Sequence, residues 1–233
     1  MKEIKGADGV NRRHLKYFNA KSFILPLGTG TILASVAMLL WTWFIWWSYL
    51  FYLLGFALFP VGVVLFIIGT VGKSTDEEID KVVAKLSAEA DIDPERDAAI
   101  IKKQLKRPPA EVVSGYDYSD GLMFKKAKSN VVRTEIFKKA TLVALEDGIC
   151  VIAATVDILR ESVKKEVIEI PYGEIEDVRV AFERRTVRFM KNSFSVKYSR
   201  LEIISHGECV LSIPASESAT LDFFISEIKL RRN

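Results

Sequence analysis

The sequence has only two cysteines, Cys150 and Cys209, and only two histidines, His14 and His206. Two cysteines on their own supply neither a disulfide framework nor a zinc site. Neither histidine has a cysteine or a carboxylate pair beside it at metal-ligand spacing. Both cysteines fall in strand candidates, where a cysteine is usually a small buried hydrophobe. No Walker loop, dinucleotide fingerprint, nucleophile elbow or zincin motif occurs. The carboxylates are scattered, and their spacing nominates no acid–base pair. The expectation is a protein that is not an enzyme, with no catalytic residue, no metal and no cofactor.

The second absence is local. No Asp, Glu, Lys or Arg occurs from Ser22 to Gly72, and all four Trp lie within Trp41–Trp47. Elsewhere the composition is ordinary, with 49% hydrophobic and 27% charged residues, which excludes a disordered chain. A bilayer-spanning helix needs about 20 residues, so the uncharged run has room for two. The expected helices are about Phe23–Trp46 and Leu50–Val71, with a break at Trp47-Ser48-Tyr49 inside an interfacial aromatic cluster. Basic residues flank the run on both sides, at Arg12, Arg13, Lys16 and Lys21 before it and Lys73, Lys81 and Lys85 after it. Placement in the cell membrane follows, multi-pass, with both termini cytoplasmic. Gly55, Gly62 and Gly69 recur every seven residues and share one helix face, as helix-packing positions within the hairpin or between chains.

The expected domains are a basic cytoplasmic tail at 1–21, a transmembrane hairpin at 22–72, a helical connector at 73–109 and a β-rich domain at 110–233. In the connector, Ile79, Val82, Val83, Leu86 and Ala90 have helical spacing. Asp93 and Pro94 suit the start of a second helix. From about Val131 the texture is β. Ala140–Glu146 and Ile149–Thr155 flank Asp147-Gly148, a strong hairpin signal. Further strand candidates are Glu166–Ile170, Ile175–Phe182, Thr186–Met190, Phe194–Tyr198, Leu201–Ser205 and Glu208–Ile213. A final helix at about Ser216–Arg231 carries Leu221, Phe224, Ile225 and Ile228 on one face.

The stretch Ile170-Pro171-Tyr172-Gly173-Glu174-Ile175-Glu176-Asp177-Val178 resembles the "ipy-x-x-I-x-x-V" strand of the bacterial pleckstrin-homology-like (PH/GRAM-like) group. Thr141–Leu145 and Gly148–Ile152 look like the paired early strands of that group. Glu183–Tyr198 is longer and more basic than the pattern. The resemblance covers about Val131–Arg231. It implies an α+β soluble domain, a PH-like antiparallel β sandwich or barrel capped by a C-terminal helix. It also implies an interaction module without catalysis, in a group where fusion to membrane helices is common.

The expected function is a membrane-anchored adaptor or accessory subunit of a membrane complex. The alternative is an anionic-lipid-binding or membrane-shaping protein. Lipid- or partner-binding candidates are Arg184, Arg185, Arg188 and Lys191, where arginine forks suit phosphate or carboxylate. Expected partners are the lipid bilayer, a membrane protein or a second copy of the chain, and an anionic lipid. Nucleic acid is not expected, since residues after Lys21 hold 27 basic against 28 acidic side chains.

Overall fold

The computed structural model describes residues 9–18, 24–44, 49–70, 73–189 and 192–232. The chain divides into two compact units, Arg12–Thr75 and a second made of Met1–Asn11 with Asp76–Asn233.

The smaller unit holds α1 (Arg12–Phe18), α2 (Ile24–Phe44) and α3 (Tyr49–Thr70). Among the described residues no helix is long and apolar enough to cross a membrane. This overturns the expected transmembrane hairpin at 22–72, and with it the multi-pass placement in the cell membrane with both termini cytoplasmic. The expected break at Trp47-Ser48, and Lys191 of the expected turn pair Lys191-Asn192, lie outside the described residues.

The larger unit begins with α4 (Asp76–Ser87), which continues into a 3-10 turn at Ala88–Ala90. Asp76, Glu77 and Glu78 occupy its first turn, where the helix dipole favours acids. The expected helix at Asp93 starts later, as α5 (Ala98–Lys103). The Asp93 carboxylate instead accepts from the amides of Glu95 and Arg96, holding those residues in a turn.

Nine strands follow: β1 (Glu111–Tyr116), β2 (Phe124–Lys126), β3 (Val132–Thr134), β4 (Ile136–Ala144), β5 (Gly148–Asp157), β6 (Ser162–Pro171), β7 (Ile175–Phe189), β8 (Asn192–Ser205) and β9 (Glu208–Pro214). They form three antiparallel sheets, ordered β1-β4-β5-β6, β2-β3 and β7-β8-β9. The last element is α6 (Ala219–Arg232), whose start is capped by the Ser218 hydroxyl accepting from the Leu221 amide at 3.0 Å. The expected fold class of membrane hairpin plus one PH-like sandwich is therefore corrected to a mixed α+β chain with three antiparallel sheets and helices.

Alternation along the strands explains the core. Leu142 and Ala144 of β4, Ile149 and Val151 of β5, Ile170 of β6, Val178 of β7, and Leu201 and Ile203 of β8 form one buried cluster. Leu221, Phe224 and Ile228 of α6 belong to the same cluster, one turn apart on one helix face. Gly148 lets β6 pair closely against the start of β5, since a Cβ there would strike the Ile170 carbonyl on β6. Tyr172, in the turn between β6 and β7, donates its hydroxyl to the Leu145 carbonyl at 3.0 Å. The opposite face of β4 and β5 is also covered. Val143, Leu145, Cys150 and Ile152 pack against Ile92, Ile100 and Ala110 of the connector.

Ion pairs help hold the connector. Arg133 of β3, only 7% exposed, meets Asp80 of α4 through Nε at 3.1 Å and Nη2 at 2.8 Å. Its Nη1 lies 3.4 Å from Asp76. Asp97 is buried just before α5 and accepts from Arg96 Nη2 at 2.9 Å and from the Asp93 amide at 2.9 Å. These partners, with the Arg96 hydrogen bond foremost, hold its carboxyl down at about 2.

Candidate functional site

β7 is a single strand of 15 residues, where the sequence suggested two. β8 pairs with it down to Phe189↔Asn192, but β9 joins β8 only from Arg200 onward. Residues 182–189 and 192–199 are therefore a two-stranded ribbon that runs past the end of the three-stranded sheet.

Side chains alternate across this ribbon. One face carries Glu183 and Arg185 from β7, and Phe194 and Tyr198 from β8. It is covered by the segment around β2. Arg185 Nη1 donates to the Tyr118 carbonyl at 2.6 Å. The Tyr118 and Tyr198 rings lie 4.9 Å apart, and Phe124 meets Phe194 edge-on at 6.3 Å. Glu183 accepts from the Tyr198 hydroxyl and from Arg200 Nη1 at 3.2 Å. Those partners, Tyr198 first, lower the Glu183 pKa below its usual range. Burial pushes the Tyr118 hydroxyl up to about 12.

The other face carries Phe182, Arg184 and Thr186 opposite Ser199, Lys197 and Ser195. Phe182 is 69% exposed. Arg184 stands directly across from Lys197, so two cations share one row. Like charges placed opposite each other destabilise a strand pair. Arg179 pairs with Glu202, its cross-strand partner, at 3.1 Å, Arg200 with Glu183, and Arg185 with Tyr118. Among the described residues, Arg184 and Lys197 have no hydrogen bond and no carboxylate within 4.0 Å. A cavity of about 370 Å³ opens here, lined by Phe182, Glu183, Arg184, Lys197, Tyr198 and Ser199. On this face Arg184, Lys197, Thr186 and Ser195 offer donors, and among the described residues no carboxylate projects from it. Donors in this arrangement can hold a carboxylate or phosphate beside an apolar group.

The sequence candidates thus separate. Arg184 belongs to this face. Arg185 lies on the opposite one and holds Tyr118. The Arg188 side chain and Lys191 lie outside the described residues. Phe182 was missed as a site residue, because Val178, Val180 and Phe182 share one parity that reads as core. Val178 is buried, but by Phe182 the strand has outrun the sheet that would cover it.

In the smaller unit, Gly55 and Gly62 face α2. A Cβ at Gly62 would lie 2.8 Å from Ile32 Cγ1 and 2.9 Å from its amide nitrogen. At Gly55 it would lie 3.0 Å from the Ser35 carbonyl, and at Gly28 it would lie 2.6 Å from the Phe66 amide. Only glycine permits this approach of two helix backbones. The surroundings of Gly69 lie outside the described residues.

The cysteines differ from each other. Cys150 is buried on β5, and burial pushes its thiol up to about 11. Cys209 is exposed at the start of β9, against the expectation of a buried hydrophobe. No group of three His, Cys, Asp or Glu among the described residues is placed to hold a metal ion. No family model matches the chain, and no curated protein or solved structure matches it.

Proposed function

We propose that the chain is an interaction module without catalysis, an adaptor or accessory subunit that holds a partner protein on the outer face of the β7–β8 ribbon. The observation that carries this reading is the exposed Phe182 beside two cations, Arg184 and Lys197, that no group among the described residues neutralises. An exposed aromatic costs solubility and an unopposed cation pair costs stability, so their presence together suits a surface that is covered when the protein works. The PH/GRAM-like resemblance is part of the proposal. It is supported by Ile170, Tyr172, Ile175 and Val178, which build the buried corner between β6 and β7. The test is a photo-reactive side chain at position 186 of the full chain, irradiated in the cells that make it. Cross-linking to a discrete protein is expected, lost with Phe182→Asp. Cross-linking no stronger than from position 164, at the far edge of β6, would contradict it.

A second reading rests on a different observation. Leu33, Leu40, Trp41, Leu53, Phe56 and Phe59 of α2 and α3 are all exposed, with no charged residue in either helix. Surfaces of that kind meet lipid or protein. On this reading the helix pair rests against lipid and the protein binds or shapes a bilayer surface. Flotation of the full chain with neutral phosphatidylcholine vesicles tests it: recovery in the floating fraction supports it, and recovery in the pellet contradicts it.

A further inference from the structure

We propose that the partner segment held by the ribbon is acidic, an extended stretch of protein carrying aspartate or glutamate next to an apolar residue. This rests on the interaction-module reading and names the chemistry of the same site.

Charge complementarity carries it. Arg184 and Lys197 form one cross-strand row with no counter-charge among the described residues. The two neighbouring rows on that face are Phe182 with Ser199 and Thr186 with Ser195. The Ser199 hydroxyl is already committed to the Ala215 carbonyl at 2.5 Å, so it does not compete for the cations. Glu183, the only carboxylate lining the cavity, is turned to Tyr198 and Arg200. A carboxylate arriving from outside would bridge the Arg184 fork and the Lys197 ammonium, and cancel their repulsion. Phe182, one row away, is placed for the apolar neighbour. Strand rows on one face recur about every 7 Å, the spacing of alternate side chains in an extended peptide.

The test titrates the purified full chain with a fluorescein-labelled peptide of six glutamates and one leucine, followed by anisotropy. A second titration uses phosphatidylcholine vesicles containing phosphatidylglycerol. Lys197→Glu is compared with Lys164→Glu, which makes the same change in net charge on a different strand. The expected result is peptide binding at least tenfold weaker in Lys197→Glu and unchanged in Lys164→Glu, with Arg184→Gln weakened as well. Equal loss in both charge reversals would mean bulk electrostatics and overturn the proposal. So would vesicle binding that depends on Lys197 while peptide binding does not. Cross-linking of a neutral protein segment from position 186 would overturn the acidic assignment and leave the interaction-module reading standing. Absence of any cross-link there would remove both.

Discussion

Arg184 on β7 and Lys197 on β8 face each other across one row of the ribbon, cation against cation, while Arg179 and Glu202 make an ion pair on the same two strands. The chain therefore places opposite charges across a row where the sheet is supported and like charges where it runs free. Replacing Lys197 by Glu makes the outer row a complementary pair. It should stabilise the protein by about 0.5 kcal/mol and raise Tm by about 1–2 °C. Thermal melting of the full chain checks this, and a lower Tm would mean that Lys197 has a favourable partner within the chain.

The helix α6 should matter through one face. Phe224 and Ile228 are buried, whereas Phe223 is 42% exposed. Truncation of a buried large side chain costs about 2–5 kcal/mol, and a domain is stable by about 5–15 kcal/mol in total. Phe224→Ala combined with Ile228→Ala should lower the urea midpoint severely or abolish folding, while Phe223→Ala should shift it little. Equal effects from Phe223 and Phe224 would overturn the assignment.

Much of this architecture was legible because it is local. Asp147-Gly148 marked the β4–β5 hairpin, and Leu221, Phe224 and Ile228 marked the buried face of α6 by spacing alone. What was not legible depends on long-range pairing. β1, with Ser114 and Gly115 in it, has little strand character of its own and exists through its partners on β4. Glu183-Arg184-Arg185 reads as a break between two strands, because polar residues on both parities hide a ribbon with one solvent face. The arginine cluster read as one feature for the same reason. Parity sends Arg184 outward and Arg185 to Tyr118, a partner 67 positions away in sequence. The membrane-spanning expectation came from the absence of charge over 22–72, which is a feature of composition alone.

Acid should loosen the connector. The Asp97 carboxyl is held at about 2, below its ordinary value, chiefly by Arg96. A depressed folded-state pKa contributes stability that is complete above the unfolded pKa of about 4 and lost as pH falls toward 2. Asp97→Asn should therefore lower stability at pH 7 and flatten its dependence between about pH 4 and pH 2. Urea midpoints at several pH values measure this. A parallel shift at all pH values would show that the Asp97 charge is not the linked group.

The glycines of the helix pair should rank by what a methyl group would meet. Gly28 and Gly62 sit against backbone at 2.6 Å and 2.9 Å, whereas Gly30 has nothing within 4 Å. Thermal melting of the full chain checks the ranking, since a methyl group at Gly28 or Gly62 must push the helix backbones apart. Gly28→Ala and Gly62→Ala should lower Tm and Gly30→Ala should not. An equal Tm in all three would mean that α2 and α3 do not depend on close approach.

The central claim is that the outer face of the ribbon binds, and Lys197→Glu tests it most directly. Cross-linking from position 186 is measured in that variant and in the parent protein, together with Tm. The account predicts a higher Tm and cross-linking reduced at least tenfold, a gain in stability coupled to a loss of binding. Cross-linking that persists at the parent level in a folded Lys197→Glu protein would contradict it.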